Sequence, residues 1–237
     1  MCASKRQRKD PFCGRRPLLY YITDRKQLKG ISLTGCIRRA LDRGVDFIQI
    51  REKDLEDRAL YELTRAAVRM ARGTHCRILV NGRADIALAA GAHGVHLPST
   101  GLKVPDIRAW LPADFLVGVS VHTLREINRA YREKADYIVL GHVFPTESKR
   151  VYGPSLGLKF LRRACAAAST PVFALGGIRP ELIDSVVECG AAGVAGISLF
   201  QKDFRFQIPE GPSEIRNLES EIKTVRLLPD CRSRGNK

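Results

Sequence analysis

The stretch FIQIREKDLEDRALYELTRAAVRMARGTHCRILVNG (residues 47–82) changes its hydrophobic pattern twice, and it decides the fold. The runs 47–52 and 77–82 are almost continuously apolar, as in strands that are buried on both faces of a parallel sheet. Between them, apolar residues recur at a helical spacing, namely Leu60, Leu63, Ala67 and Met70. The stretch therefore predicts a strand–helix–strand unit whose two strands are parallel.

The same alternation extends outward in both directions. Strand-like runs occupy residues 18–24, 47–52, 77–82, 94–97, 117–122, 137–144, 171–177 and 193–198. A helical or helix-like segment follows each run, which predicts a single (β/α)8 TIM barrel. A doubly wound open sheet is the competing fold, but no GxGxxG motif follows the first strand.

The barrel accounts for only part of the 237 residues. We expect a basic N-terminal arm over 1–17, the barrel over 18–202, and a C-terminal extension over 203–237 that contains a last helix. No apolar run approaches the roughly 20 residues that cross a bilayer, and the N-terminus lacks a secretory signal. Seven scattered cysteines without a CxxC pair suit reduced thiols, so we expect a cytoplasmic protein.

The charge of the chain bears on its partners. The formal net charge is +15, which suits anionic ligands, of which phosphate esters are the simplest. The basic arm has no interleaved aromatic residues and no nucleic-acid-binding motif, so we expect neither a nucleic-acid nor a membrane partner. A homodimer or another homo-oligomer is left open.

In a (β/α)8 barrel the active site lies at the C-terminal ends of the strands. On the two-residue period of a strand, Gln49, Arg51 and Lys53 share one face, and so do Ser120 and His122. Strands seven and eight end in small residues that predict a phosphate site, namely Gly176, Gly177, Gly196, Ile197 and Ser198. The alternative is that these glycines only make tight turns.

Several ordered motifs carry a family resemblance. They are QIREK (49–53), GAHGVHL (91–97), GVSVHTLRE (118–126), ADYIVLGHVFPTESK (135–149), PVFALGGI (171–178) and GAAGVAGIS (190–198). Together they resemble the family of thiamine phosphate synthases and thiazole tautomerases. The resemblance implies a phosphorylated thiazole as the small-molecule ligand and a site at the strand ends.

The family divides into two chemistries. Its synthases join a pyrimidine pyrophosphate to a thiazole phosphate and need Mg²⁺, which prefers carboxylate oxygens. Gly82 and Gly101 stand where the resemblance would place the two metal-binding aspartates, and the nearest substitutes are Asp85 and Asp106. We therefore expect the tautomerase branch, with no metal and no cofactor. A divergent synthase that uses Mg²⁺, and a non-catalytic ligand-binding regulatory barrel, remain the alternatives.

The tautomerase reaction moves a double bond of a carboxythiazole phosphate into its ring. Such a proton shift needs a group that takes and gives a proton near neutral pH, which is the property of histidine. The resemblance places the catalytic base at His122. A histidine that ends a strand can instead be a packing residue.

Further residues are predicted to bind the substrate. They are Arg51, Lys53, Asn81, Ser120, His142 and Lys149. Arg51 and Lys53 could hold a carboxylate or a phosphate, or they could pair with Glu52 or Asp54 at the rim. Asn81 could donate an amide hydrogen bond or cap the next helix.

Overall fold

The computed structural model describes Phe12 and residues 16–28, 30–146 and 154–201. Most of the expected arm over 1–17 and all of the expected extension over 203–237, with its last helix, lie outside these residues. The domain boundaries predicted for these two segments therefore stay predictions.

The predicted (β/α)8 barrel is confirmed, because parallel strands close into a ring in sequence order. The strands are β1 (Leu18–Ile22), β2 (Phe47–Ile50), β3 (Arg77–Asn81), β4 (Gly94–Leu97), β5 (Leu116–Val121), β6 (Tyr137–Gly141), β7 (Val172–Leu175) and β8 (Gly193–Gly196). β1 pairs with both β2 and β8, which leaves no open edge.

A helix follows each strand on the outside of the ring. The helices are α1 (Leu33–Asp42), α2 (Asp57–Met70), α3 (Ala84–Ala89), α4 (Val104–Arg108), α5 (Leu124–Arg132), α6 (Gly157–Ala167), α7 (Ile183–Val187) and α8 (Ser198–Gln201). In α2 the buried face is formed by Leu60, Thr64 and Ala67. Among the described residues, no helix is both long and apolar enough to span a bilayer.

Aromatic side chains fill the middle of the barrel. The rings of Tyr20, Phe47, Tyr137 and Phe173 pack against one another with centroids 5.3–6.2 Å apart. Gly118 makes room for them, because a Cβ atom at this position would overlap the ring of Tyr137. This layer closes the barrel below its mouth, so a ligand at the strand ends rests on a packed floor.

Candidate active site at the barrel mouth

His122 lies at the C-terminal end of β5, one residue beyond the strand, and its side chain is exposed. Its Nδ1 lies 2.6 Å from the carbonyl oxygen of Gly141 at the end of β6. A carbonyl oxygen can only accept, so Nδ1 carries a proton, and in the neutral ring Nε2 keeps its lone pair. The ring is therefore held in the tautomer that leaves one basic nitrogen available.

The backbone on either side of this histidine is anchored by the start of α5. A carboxylate oxygen of Glu126 accepts hydrogen bonds from the amides of His122 and Thr123, at 2.6 and 3.1 Å. The Thr123 hydroxyl accepts from the amide of Glu126, which completes a capping box. These bonds fix the point at which the chain leaves the strand.

A chain of hydrogen-bonded side chains forms the floor beneath the mouth. The Gln49 amide donates to Asn81 Oδ1 at 2.9 Å, and the Tyr20 hydroxyl donates to Gln49 Oε1 at 2.9 Å. Tyr20 also contacts the hydroxyl of Tyr137 at 3.0 Å.

The chain continues through a buried histidine. His96 Nδ1 lies 3.3 Å from the Tyr137 hydroxyl, and its Nε2 lies 2.9 Å from Ser120 Oγ. Asn81 and Ser120, the two ends of the chain, are half-buried at the mouth. Six side chains, one from each of β1 to β6, are thus joined into one polar network.

Burial keeps the middle of this network uncharged. Desolvation, with the nearby Arg51 guanidinium, lowers the pKa of His96 to about 3, so its imidazole is neutral at physiological pH. Burial also raises the pKa of Tyr20 and of Tyr137 above the ordinary range of tyrosine. Each member is therefore a neutral hydrogen-bonding group.

Arg51 and Lys53 lie in the segment that follows the end of β2. Their acidic neighbours Glu52 and Asp54 instead pair with Arg25, at 3.3 and 2.6 Å. Within the described residues, neither cationic side chain has a hydrogen bond or an ion pair. The ion pairs considered as the alternative role for these two cations do not form, and both remain available to an anion.

The glycines that end β7 are required by the chain itself. Gly176 and Gly177 have φ values of +101° and +66°, in the left-handed region. A Cβ atom on Gly176 would collide with His142, and one on Gly177 would lie 2.5 Å from the carbonyl oxygen of Pro145. These contacts are with protein, so the glycines alone do not identify a ligand.

Four backbone amides near these glycines have no acceptor within the described residues. No described residue accepts a hydrogen bond from the amides of Gly177 and Ile178, or from those of Ile197 and Ser198 after β8. The predicted phosphate-binding residues thus bring donors to neighbouring strand ends. Gly196 itself is buried and pairs with β1.

His142 and Lys149 were also predicted to bind the substrate. His142 follows β6, is half-buried, and packs its Cβ against Gly176; within the described residues its ring has no hydrogen-bond partner. Lys149 lies outside the described residues. Neither prediction is tested by the geometry.

The carboxylates considered as metal ligands, those of Asp85 and Asp106, are hydrogen-bonded to protein groups. Asp85 accepts two hydrogen bonds from Arg83 at 2.9 and 2.7 Å, and this contact lowers the pKa of its carboxyl. Asp106 accepts from the backbone amide of Lys103 at 2.9 Å as part of a helix cap. The part of the chain that the structure describes contains no cluster of three or more metal-ligating side chains. These residues do not fit the Mg²⁺ site of a pyrophosphate-transferring synthase.

Four members of the floor were not predicted to be site residues, namely Tyr20, Gln49, His96 and Tyr137. Strand alternation placed Gln49 on the face of Arg51, and in the structure the Gln49 side chain bonds to Asn81 of β3. The two tyrosines are hidden within apolar runs, and no local pattern sets them apart from core residues. His96 carries no sequence signal of its own, and what distinguishes it is its pairing with side chains of β5 and β6.

Comparisons with known proteins agree with this architecture. The family model described as "Thiamine monophosphate synthase" matches residues 19–200. A Geobacter sulfurreducens protein, named provisionally as a thiamine-phosphate synthase, is 44% identical over 185 residues, covering 78% of this chain and 87% of that relative. A Methanoculleus marisnigri thiamine-phosphate synthase is 40% identical over 180 residues, covering 76% and 85% of the two chains.

A solved structure supports the same assignment. The thiamine phosphate pyrophosphorylase of Pyrococcus furiosus superposes with a TM-score of 0.72 at 31% identity, and the match covers 88% of this chain and 98% of that chain. The chain therefore belongs to the thiamine monophosphate synthase family and is an enzyme of thiamine biosynthesis.

Proposed function

We propose that this barrel is a metal-independent thiazole tautomerase, which makes the ring of a carboxythiazole phosphate aromatic. One base removes the ring C–H proton, and the electron pair of that bond enters the ring. The exocyclic double bond shifts, and its outer carbon receives a proton. One proton leaves and one returns, so the reaction needs no other reactant.

The observation that carries this proposal is the hydrogen bond from His122 Nδ1 to the Gly141 carbonyl at 2.6 Å. It leaves Nε2 as a proton acceptor at the mouth of the barrel. Once Nε2 is protonated, both ring nitrogens are donors, and the imidazolium can return the proton to the outer carbon. General acid–base catalysis of this kind contributes about 10²- to 10⁴-fold.

Charged and polar groups at the strand ends support the binding of a substrate that carries a carboxylate and a phosphate. Arg51 offers a planar guanidinium and Asn81 an amide N–H, both of which suit a carboxylate. The unused amides of Gly177, Ile178 and Ser198 suit a phosphate group. We assign Lys53 to the outer, exposed part of this anion site. Lys149, which lies outside the described residues, stays a predicted substrate-binding residue.

The second candidate is thiamine phosphate synthase, which the names of the relatives favour. In that reaction a pyrimidine pyrophosphate is coupled to a thiazole phosphate and pyrophosphate is released. The occupied carboxylates of Asp85 and Asp106, with Gly82 and Gly101 at the expected metal positions, argue against it.

The proposal is tested by following ring aromatisation by ultraviolet absorbance for wild type, His122→Ala and His75→Ala. His75 is the matched control, since it is 58% exposed and precedes β3 at the opposite end of the barrel. We expect His122→Ala to lose at least about 100-fold in kcat/KM, and His75→Ala to match wild type. Equal turnover by His122→Ala and wild type would show that another group is the base.

A further inference from the structure

We propose that the buried network between Asn81 and Ser120 has one proton arrangement, which makes Ser120 a hydrogen-bond acceptor and Asn81 a donor toward the ligand. The inference depends on the barrel mouth being the ligand site, as in the proposed function, but not on which of the two reactions occurs there. It assigns His96, Tyr137 and Tyr20 as positioning residues.

The donor and acceptor of each hydrogen bond in the network follow from one atom that can only accept, Gln49 Oε1. Gln49 Oε1 has no hydrogen, so the Tyr20 hydroxyl must donate to it. That donation uses the only proton of Tyr20, and the bond between the tyrosines therefore runs from Tyr137 to Tyr20. Tyr137 has then used its own proton, so its oxygen accepts from His96 Nδ1.

The tautomer of the buried histidine follows in turn. A neutral imidazole carries one proton, and in His96 that proton is on Nδ1. Nε2 is left with a lone pair, which accepts the Ser120 hydroxyl proton at 2.9 Å. With its proton directed downward, Ser120 presents only oxygen lone pairs to the mouth. Burial supports the neutral state, since His96 is only 3% exposed.

The other end of the network has the opposite polarity. Asn81 Oδ1 is taken by the Gln49 amide, and Asn81 Nδ2 has no partner within the described residues. Nδ2 is also not buried, so it is accessible to a ligand. A ligand is therefore expected to place an acceptor, such as a carboxylate oxygen, over β3 near Arg51. A group that meets Ser120 over β5 must be a donor.

The test uses ¹⁵N-histidine-labelled full-length protein without ligand, in which long-range ¹H–¹⁵N spectra identify the tautomer of each ring. We expect His96 to be the Nδ1–H form, unchanged from about pH 5 to about pH 8. In Tyr20→Phe, the Tyr137 hydroxyl loses its acceptor and can donate to His96 Nδ1, which shifts the ring toward the Nε2–H form. Phe173→Leu is the control, because it alters the same aromatic layer without removing a polar atom.

The inference is overturned if His96 in the wild type is the Nε2–H form or is charged, or if Tyr20→Phe leaves its tautomer unchanged. If Tyr20→Phe does not fold, Tyr137→Phe replaces it. There His96 Nδ1 has no partner and Nε2–H can donate to Ser120, so the Nε2–H form is again expected. A merely structural role for the tyrosines predicts no change of tautomer at His96.

A binding measurement tests this inference independently of which reaction the enzyme catalyses. Asn81→Asp replaces the donor by an acceptor, so the Kd for the aromatic carboxythiazole phosphate should rise at least about tenfold, measured by titration calorimetry. An unchanged Kd would contradict the donor role. If the wild type does not bind this probe while the spectra show the Nδ1–H tautomer, the proposed function fails and the proton arrangement stands.

Discussion

Lowering the pH should destabilise this barrel through one buried group, His96. Its pKa is about 3 in the folded protein against an ordinary value of 6.5, so the folded state favours the neutral ring. Below about pH 6.5 the unfolded chain binds a proton that the folded protein excludes. The free energy of unfolding should then fall by about 1.4 kcal/mol for each pH unit, until the pH approaches 3.

Urea unfolding at about pH 7.5 and about pH 5.5 measures this difference. Wild type should lose about 1.4 kcal/mol more than His96→Gln across this interval, because glutamine does not titrate. Burial also lowers the pKa of His93, but that residue is present in both proteins and its contribution cancels. Equal slopes for wild type and His96→Gln would refute the neutral, buried ring.

Three substitutions probe the floor and the mouth. Gly118→Ala should lower the free energy of unfolding in urea by about 1–3 kcal/mol, because its Cβ would overlap Tyr137. In a Tyr137→Leu background this loss should be smaller by at least about 1 kcal/mol, and an equal loss would contradict the overlap. Glu126→Ala should lower the free energy of unfolding by about 1 kcal/mol and kcat by about tenfold, because it removes the helix cap that holds the backbone of His122. A kcat equal to that of wild type would count against this role. Arg51→Gln should raise the substrate KM about tenfold with a smaller effect on kcat, while Arg51→Lys retains part of the affinity; unaltered steady-state kinetics would remove Arg51 from the site.

Much of the fold was predictable because a TIM barrel repeats one local pattern. Each strand is buried on both faces and is followed by a helix, so hydrophobic runs mark the strands without knowledge of the ring. Strand alternation also placed Gln49 and Arg51 on one face, and Ser120 and His122 on another. Those pairs are local in sequence. In the structure Gln49 and Ser120 belong to the polar network of the floor, and the faces of Arg51 and His122 stay predictions.

The floor of the site could not be predicted in the same way. Tyr20 and Tyr137 are 117 residues apart, and their hydroxyls meet only because the ring brings β1 and β6 across the barrel. Gly177 shows a different limit. Its sequence context suggested close approach of a phosphate, whereas the nearest obstacle to a side chain is the carbonyl of Pro145. Both contacts join segments that are distant in sequence, so no local sequence pattern predicts them.

The most direct test of the account compares two reactions of one enzyme preparation. The first contains carboxythiazole phosphate with EDTA, and the second contains pyrimidine pyrophosphate, thiazole phosphate and Mg²⁺. The account predicts ring aromatisation in the first, abolished by His122→Ala, and no pyrophosphate release in the second. Pyrophosphate release that EDTA abolishes, with no ring aromatisation, would contradict it and identify the barrel as a synthase.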